Sequence, residues 1–208
     1  MKTRLRRDKE REERRGQILN AARTLMFEKG IASATMQRIA TLGGMSVGTI
    51  YLYFESKEEV FAALQEEGLD LLGERITRAV ESADGPEDGI RRMAGAYLAF
   101  SVENKKYFDI INYFLSAPDV LFPPRLKKRI DTHGNKILES VVKAVVAGTE
   151  SGIFSRTDPR HAAVAFWGVL HGLIQFKKLK NTILRGDDLA EVYRSAVELY
   201  INGLRAKG

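Results

Sequence analysis

The fold of this chain is decided by the stretch from Thr35 to Lys57, TMQRIATLGGMSVGTIYLYFESK. Thr35 can cap a first short helix, because the apolar residues that follow it recur at helical spacing. Gly43-Gly44 ends that helix by offering a position that tolerates positive φ. Ser46 can then cap a second short helix that runs to about Tyr53. The pattern predicts two helices joined by a tight turn.

The second of these helices has one apolar face and one polar face. Val47, Ile50 and Phe54 are spaced by three and four residues, which suits burial. The remaining positions are free to face outward: Gly48, Thr49, Tyr51 and Tyr53. A short helix that presents small and hydroxyl-bearing side chains after a glycine turn is typical of proteins that read DNA.

A third helix is expected to begin at Ser56, because Glu59 stands three residues later and completes a capping-box pattern. Lys57 therefore lies beside a helix N-terminus. Its ammonium and the free backbone amides together predict an anion site, and phosphate is the anion expected there.

The charge of the chain is concentrated at its start. Residues 1–57 contain 12 basic and 6 acidic residues, whereas the remaining residues contain 21 of each, so the net charge of +6 lies in the first quarter. A charged run alone is usually a solvated face. Beside the predicted helical pair, it indicates a nucleic-acid-binding region.

From about Arg15 to Lys57 the sequence resembles the TetR family of bacterial transcriptional repressors. Residues like those of the family's N-terminal pattern stand at many spaced positions: Ile18, Ala21, Ala22, Phe27, Gly30, Thr35, Ile39, Ala40, Gly44, Ser46, Gly48, Thr49, Ile50, Tyr51, Phe54 and Lys57. Two departures are mild. Gly43 replaces the usual alanine, which should loosen the end of the helix, and Met45 replaces a common valine.

The resemblance implies roles for nine residues of the motif. Thr35, Tyr51, Tyr53 and Lys57 are expected to hold phosphates, which sets the position of the protein on the duplex. Gln37 and Thr49 are expected to read bases, with Val47 and Gly48 close to them and Ser46 as the helix cap. Arg4, Arg6 and Arg7, in the basic start of the chain, form either an arm that reaches a minor groove or a disordered, solvated tail.

The rest of the chain reads as helices. Helical patterns are expected at about 56–81, 86–102, 104–116, 124–150, 159–180 and 188–204, with no alternation that would favour strands. The sequence predicts an all-α fold of about nine helices. A three-helix DNA-binding domain with the helix-turn-helix, at 1–57, is followed by a larger helical domain at 58–208.

The composition suits a soluble protein of a reducing cytoplasm, and the resemblance implies a bacterial protein that lies on the nucleoid when bound to DNA. Cysteine is absent, so neither a disulfide framework nor a thiolate metal site is possible. The most apolar run, residues 162–174, is shorter than the ~20 residues that a membrane span needs.

Nothing in the sequence indicates an enzyme, a metal site or a cofactor. The three histidines lack the Glu-x-x-His spacing of di-metal bundles, and Asp158 is read as a helix cap rather than as a partner of His161. The glycines at 43 and 48 have phosphate-loop spacing, but Thr49 stands where the lysine is required.

The larger domain is expected, from the resemblance, to bind a small-molecule effector and to form a homodimer through the last two helices. Aromatic residues and one histidine are the candidates for an apolar, effector-binding cavity. They are Tyr97, Phe100, Phe108, Tyr113, Phe114, Trp167 and His171. Most of them can equally be core residues. An apolar lining favours a hydrophobic or amphipathic effector.

The function predicted from the sequence is that of a ligand-responsive repressor. It binds an inverted-repeat operator in double-stranded DNA as a homodimer, and the effector releases it. Two alternatives remain open: an activator of the same architecture, and a non-specific architectural DNA-binding protein.

Overall fold

The computed structural model describes residues 2–116, 122–179, 182, 184–186 and 188–206. Nine α-helices lie in this part of the chain, with 3₁₀ turns at Ile31–Ser33 and Phe176–Leu179 and one isolated antiparallel bridge between Phe154 and Arg205. The helices are α1 Lys2–Lys29, α2 Met36–Leu42, α3 Val47–Tyr51, α4 Lys57–Glu81, α5 Gly85–Glu103, α6 Lys105–Ser116, α7 Pro124–Glu150, α8 Pro159–Gln175 and α9 Leu189–Leu204. The predicted all-α fold is confirmed.

Local sequence signals set several of these boundaries. The carboxylate of Asp158 accepts hydrogen bonds from the backbone N–H groups of Arg160 (2.8 Å) and His161 (2.9 Å), so Asp158 is the cap of α8 as predicted. Asp188 caps α9 in the same way, through the N–H of Ala190 at 3.1 Å.

The helices pack as two compact units. The first contains Met1–Gly68 and Lys106–Asp131. Its core is built where the buried face of α1 meets α2, α3 and the first turns of α4, with one contribution from α6. The largest fully buried side chains of this core are Ile18, Ile39, Ile50, Phe54, Leu64 and Ile110.

The second unit contains Leu69–Lys105 and Thr132–Gly208. Its buried residues come from the rest of α4, from α5, from most of α7 and from α8 and α9. Tyr193 of α9 is fully buried and donates a hydrogen bond from its hydroxyl to the carbonyl oxygen of Ala94 on α5, at 2.9 Å. Tyr200 of α9 donates similarly to Ala162 of α8, at 2.9 Å.

Packing therefore divides the chain differently from the sequence-based domain boundary at residues 57 and 58. The first turns of α4 and the segment Lys106–Asp131 belong to the unit that contains the helical pair. The predicted boundary concerns function, and it stays a prediction.

The basic start of the chain is neither a separate arm nor an irregular tail. It forms the first half of α1, which is continuous from Lys2 to Lys29. Lysine, arginine and glutamate are good helix formers, and pairs four residues apart, Arg6 with Glu10 and Lys9 with Glu13, add to the stability of the helix.

No helix among the described residues is both long enough and apolar enough to cross a bilayer.

Candidate nucleic-acid interface

The turn between α2 and α3 has the geometry that the sequence predicts. The hydroxyl of Thr35 accepts a hydrogen bond from the backbone N–H of Arg38 at 3.2 Å, which caps α2. Gly44 has φ of +63°, a conformation that L side chains rarely adopt, so glycine is required at that position. Ser46 caps α3 by accepting from the N–H of Thr49 at 3.0 Å.

The apolar and polar faces of the pair are separated as expected. Ile39 and Ile50 are fully buried, whereas Gln37 and Gly48 are exposed. Tyr51 is 52% exposed. A Cβ added at Gly48 would meet only the Ser46 hydroxyl, at 3.7 Å, so the backbone of α3 is open to close approach from outside.

Of the other predicted DNA-contacting residues, Thr35 and Ser46 are exposed, whereas Val47, Thr49, Tyr53 and Lys57 are only partly accessible. Val47 and Tyr53 are half-buried and pack against the core of the first unit. Thr49 is half-buried, and its hydroxyl lies 2.9 Å from that of Ser46, so these two hydroxyls share a hydrogen bond. The methyl group of Thr49 takes no part in this hydrogen bond.

An exposed residue that the sequence analysis did not single out is Leu52, directly after α3. Its side chain is 76% exposed, although leucine is usually buried. The signal for it was its spacing: Leu52 stands four residues after Gly48, so both lie on the outward face of the helix.

Gly43 and Met45 compensate for one another. A Cβ added at Gly43 would lie 2.8 Å from the terminal methyl carbon of Met45. The methionine side chain therefore occupies the space beside the glycine, and Gly43 itself has an ordinary helical φ of −79°. Gly43 alone is expected to loosen the end of α2. The Met45 side chain offsets this expectation, because it fills the space that a Cβ at position 43 would take.

The start of α4 is capped by two residues. The hydroxyl of Ser56 accepts from the N–H of Glu59 at 3.3 Å, and the Glu59 carboxylate accepts from the N–H of Glu55 at 2.7 Å. The carboxylate thus reaches one residue beyond the position in a standard capping box. The ammonium of Lys57 lies 5.4 Å from the ring centroid of Phe61, a cation–π contact that orients it.

Two arginines of α7 hold the same end of α4. Arg125 donates to the carboxylate of Glu55 at 2.9 Å and lies 3.5 Å from that of Glu59. Arg129 lies 3.6 Å from Glu59 and 2.7 Å from Glu66. Because these contacts lie within one compact unit, they fix the helix start that carries Lys57.

Models of known families match two parts of the chain. Residues 18–64 match the model described as bacterial regulatory proteins, tetR family, and residues 90–200 match that of a tetracyclin repressor-like C-terminal domain. This chain belongs to the TetR family. The regulators of this family bind DNA and small-molecule effectors.

Individual relatives agree with this assignment. The chain is similar to the HTH-type transcriptional regulator HbdR of Aromatoleum sp. (strain CIB), with 30% identity over 66% of this chain and 59% of HbdR. It is 29% identical to the HTH-type transcriptional regulator TtgR of Pseudomonas putida, over 80% of each chain. Among solved structures, FadR from Bacillus subtilis in complex with stearoyl-CoA has a TM-score of 0.71 at 21% identity, over 91% of this chain and 98% of FadR.

The candidate effector residues fall into both units. In the second unit, the rings of Tyr97 and Trp167 lie 5.0 Å apart in an edge-to-face arrangement, and the Tyr97 hydroxyl lies 3.0 Å from Nδ1 of His171. Phe100 is fully buried in the same unit. Burial raises the pKa of the Tyr97 phenol and lowers the pKa of the His171 imidazole, so at neutral pH both groups are uncharged.

Trp167 has a further property. Its indole N–H is buried, and within the described residues it has no hydrogen-bond acceptor. A buried donor without a partner costs about 1–3 kcal/mol, so an acceptor brought there by a ligand would be favoured.

The other three candidates lie in the first unit. The Phe114 ring packs against Phe61 (5.7 Å between centroids), Tyr113 (5.2 Å) and Phe122 (5.0 Å). Phe108 is buried, and Tyr113 is exposed. The structure therefore groups Tyr97, Trp167 and His171 in the second unit, and it places Tyr113 and Phe114 in a separate aromatic cluster of the first unit, where Phe108 also lies.

An open groove of about 600 Å³ lies between α4 and α7 in the second unit. The buried side chains of Leu69 and Ile137 contribute its apolar part. Its other lining residues, most of which have polar side chains, are Asp70, Gly73, Glu74, Thr77, Arg78, His133, Lys136 and Ser140. The sequence analysis did not predict this groove, because its two sides are about 65 residues apart in the chain.

The last two helices present apolar side chains to the outside. Val164 and Val169 of α8 are exposed, and Leu199 of α9 is 72% exposed. A Cβ added at Gly168 or at Gly172 would meet no atom within 4 Å, so another helix can approach α8 closely there.

Proposed function

We propose that this TetR-family regulator is a ligand-responsive repressor that acts in the cytoplasm, binds an inverted-repeat operator as a homodimer and is released by a small-molecule effector. The observation that supports this most directly is the pair α2 and α3, whose buried face is anchored in the core while its polar face is exposed. The pair lies in the segment that carries the whole net charge of the chain.

The phosphate contacts are assigned to Thr35, Tyr51, Tyr53 and Lys57. Their hydroxyl and ammonium groups can donate to phosphate oxygens, and the backbone N–H groups at the start of α4 add to the site at Lys57. The carboxylates of Glu58 and Glu59, in the same turn, would repel an anion bound there. This opposition makes the ammonium of Lys57 essential to that contact.

Base reading is assigned to the outward positions of α2 and α3. Gln37 can pair with adenine, and the methyl groups of Val47 and Thr49 can touch that of thymine. Gly48 permits the close approach that these contacts need. The main role proposed for Ser46 is to cap α3, and a contact of its own with the duplex is secondary.

The dimer is proposed to form through α8 and α9. The exposed Val164, Val169 and Leu199 need a partner surface, and the glycines of α8 allow close packing. Two-fold symmetry then places the two α3 helices in successive major grooves, so the operator half-sites are expected about one or more helical turns, ~34 Å, apart.

The effector is proposed to be hydrophobic or amphipathic, and its site to include Tyr97, Phe100, Trp167 and His171. The apolar rings would contact its hydrocarbon part, and the unpaired indole N–H of Trp167 would bind an acceptor atom. Phe108, Tyr113 and Phe114 stay candidates from the sequence alone. FadR of B. subtilis, which shares the fold, was solved with stearoyl-CoA, a ligand that is amphipathic in this sense.

Release is proposed to act through α4. This helix is continuous from Lys57, at the phosphate site, to Glu81 in the second unit. Effector binding that favours a spacing of the α3 helices unsuited to successive grooves would weaken operator binding, and a coupling of ~1–3 kcal/mol is sufficient. A helix-breaking change at Leu69 that left induction intact would contradict this route.

Selection of bound DNA from a random pool tests the proposed function. We expect one inverted repeat to be enriched. An enriched asymmetric site would contradict the homodimer, and no enrichment would indicate the architectural alternative. Reporter expression from the selected site then separates repressor from activator.

The effector is identified by the fluorescence of Trp167, which is the chain's one tryptophan. A true effector should change this emission and lower operator affinity at the same concentration.

A further inference from the structure

The first half of α1 carries an arginine row that consists of Arg7, Arg11 and Arg14. These residues precede the buried Ile18 by eleven, seven and four positions. At 3.6 residues per turn, the three arginines therefore lie on the same helix face as Ile18, but beyond the core. All three side chains are exposed.

Two of the four acidic residues between positions 2 and 15 form ion pairs, and both pair with basic residues outside the row. Glu10 pairs with Arg6 at 3.3 Å, and Glu13 pairs with Lys9 at 3.9 Å. In the described part of the chain, Arg7 and Arg11 make no ion pair. Arg14 donates to the neutral amide of Gln17 at 2.9 Å. Within the described residues, no carboxylate therefore forms an ion pair with an arginine of the row.

The arginine row begins at the edge of the candidate nucleic-acid interface. Arg15 follows Arg14 directly, and its guanidinium lies 4.9 Å from the centroid of the Phe54 ring. Phe54 comes directly after Tyr53 and three residues before Lys57, which are two of the proposed phosphate contacts. From Arg15 to Arg7 the helix rises by about 12 Å, so the row extends the interface by that distance.

The N-terminal end of α1, next to the row, favours a nearby anion. The N-terminus of a helix is the positive end of its dipole, and the first turn of α1 contains no acidic residue that would offset it. B-form DNA carries one negative charge per ~1.7 Å of its axis, so a 12 Å row faces several phosphates. A duplex would therefore neutralise both the dipole and the arginines.

We infer that the arginine row is a second DNA-binding surface, which contacts the phosphate backbone flanking the site that α3 reads and carries no base preference. This inference rests on the proposed function, because it needs a duplex held by the helical pair. The basic start of α1 would then bind DNA through one face of the helix.

The test compares two double variants of the full-length protein that remove the same charge from opposite faces of one helix. Arg7→Gln/Arg11→Gln alters the row, and Arg6→Gln/Lys9→Gln is the matched control. Affinity for the selected operator, with flanking base pairs on both sides, is measured over a series of salt concentrations. Circular dichroism establishes that α1 stays helical in both.

The row variant should reduce the slope of log K against log salt by about 1.8, since each lost phosphate contact contributes about 0.9. The control should change it by less than half as much. The difference should disappear on an operator trimmed of its flanking base pairs, because the row then has no phosphates to contact.

Several results would overturn the inference. Equal slopes for the two variants would mean that only net charge matters, and altered flanking base preference would mean that the row reads sequence. Unchanged DNA binding with lost binding to anionic lipid vesicles would assign the row to a membrane. Failure of the unaltered protein to bind any operator would instead contradict the proposed function, so the two failures are distinguishable.

Discussion

The guanidinium of Arg129 on α7 lies 2.7 Å from the carboxylate of Glu66 on α4, and the Glu66 side chain is only 13% exposed. The same guanidinium reaches Glu59, whose carboxylate caps the start of α4. Because charges of low exposure interact more strongly than solvated ones, this pair fixes α7 to the helix that begins at Lys57.

Replacing Arg129 by methionine should lower the free energy of unfolding by about 1–3 kcal/mol, since it leaves the Glu66 carboxylate half-buried without a counter-charge. Arg125→Met is the control, because the Arg125 side chain is 61% exposed and its pairs should contribute less than about 1 kcal/mol. Urea unfolding measures both. Equal losses for the two variants would show that the low exposure of Glu66 has no energetic consequence.

Substitutions at the interface should separate phosphate contacts from base contacts. Tyr51→Phe and Lys57→Ala should weaken binding by a similar factor on all sequences, and Lys57→Ala should also reduce the salt slope by about 0.9, because it removes a cation that neutralises one phosphate. Gln37→Ala should instead change the preference at one base pair by about 1–3 kcal/mol. Fluorescence anisotropy on a panel of operator variants measures this; altered base preference in Tyr51→Phe would reverse the assignment.

The proposed dimer surface is tested by a charge placed on it. Leu199→Glu should weaken dimerisation at least tenfold, because an unpaired carboxylate buried between two helices costs several kcal/mol. Val102→Glu, at an exposed valine of α5, should leave the dimer intact. Sedimentation velocity distinguishes the two. An unaltered dimer in Leu199→Glu would remove α9 from the interface.

Acid should weaken the contact between Glu87, near the start of α5, and Arg205, directly after α9. Hydrogen bonds from Arg205 (2.7 and 2.8 Å), and a weaker one from Arg91, hold the pKa of Glu87 below its ordinary value of 4.5. A carboxylate with a lowered pKa in the folded state stabilises the fold fully above pH 4.5, and this stabilisation is lost as the pH falls through the lowered value.

Glu87→Gln should therefore cost about 0.5–1 kcal/mol at pH 7 and less at pH 3, measured by urea unfolding. Glu12→Gln, at an exposed glutamate that makes no ion pair in the described residues, should cost little at either pH. A cost of Glu87→Gln that does not change with pH would mean that the carboxylate charge is not what Arg205 recognises.

The helix-turn-helix could be predicted in detail because its signals are local. Thr35, Gly44 and Ser46 act within three or four residues of themselves, and the caps and the positive φ follow from residue type. The conformation of the start of α1 could not be predicted, since a run of charges is compatible with both a helix and a solvated tail. The structure distinguishes the two, because α1 is continuous there and carries the arginine row on one face.

Contacts between distant segments also could not be predicted from the sequence. Arg129 and Glu66 are 63 residues apart, and Tyr97 and His171 are 74 residues apart. The periodicity of apolar residues within one helix gives no information about contacts between segments so far apart in the chain. The seven aromatic and histidine candidates were predicted as one set for the same reason, and the structure divides them between the two compact units.

The central claim is that two copies of this chain hold two successive major grooves. The most direct measurement is a titration of a fluorescent duplex that carries the selected inverted repeat, with the stoichiometry determined by sedimentation equilibrium. We expect an even number of chains per duplex, two for each dimer, and loss of specific affinity when about five base pairs, half a helical turn, are inserted between the half-sites. One chain per duplex, or an affinity that does not respond to the insertion, would contradict the claim.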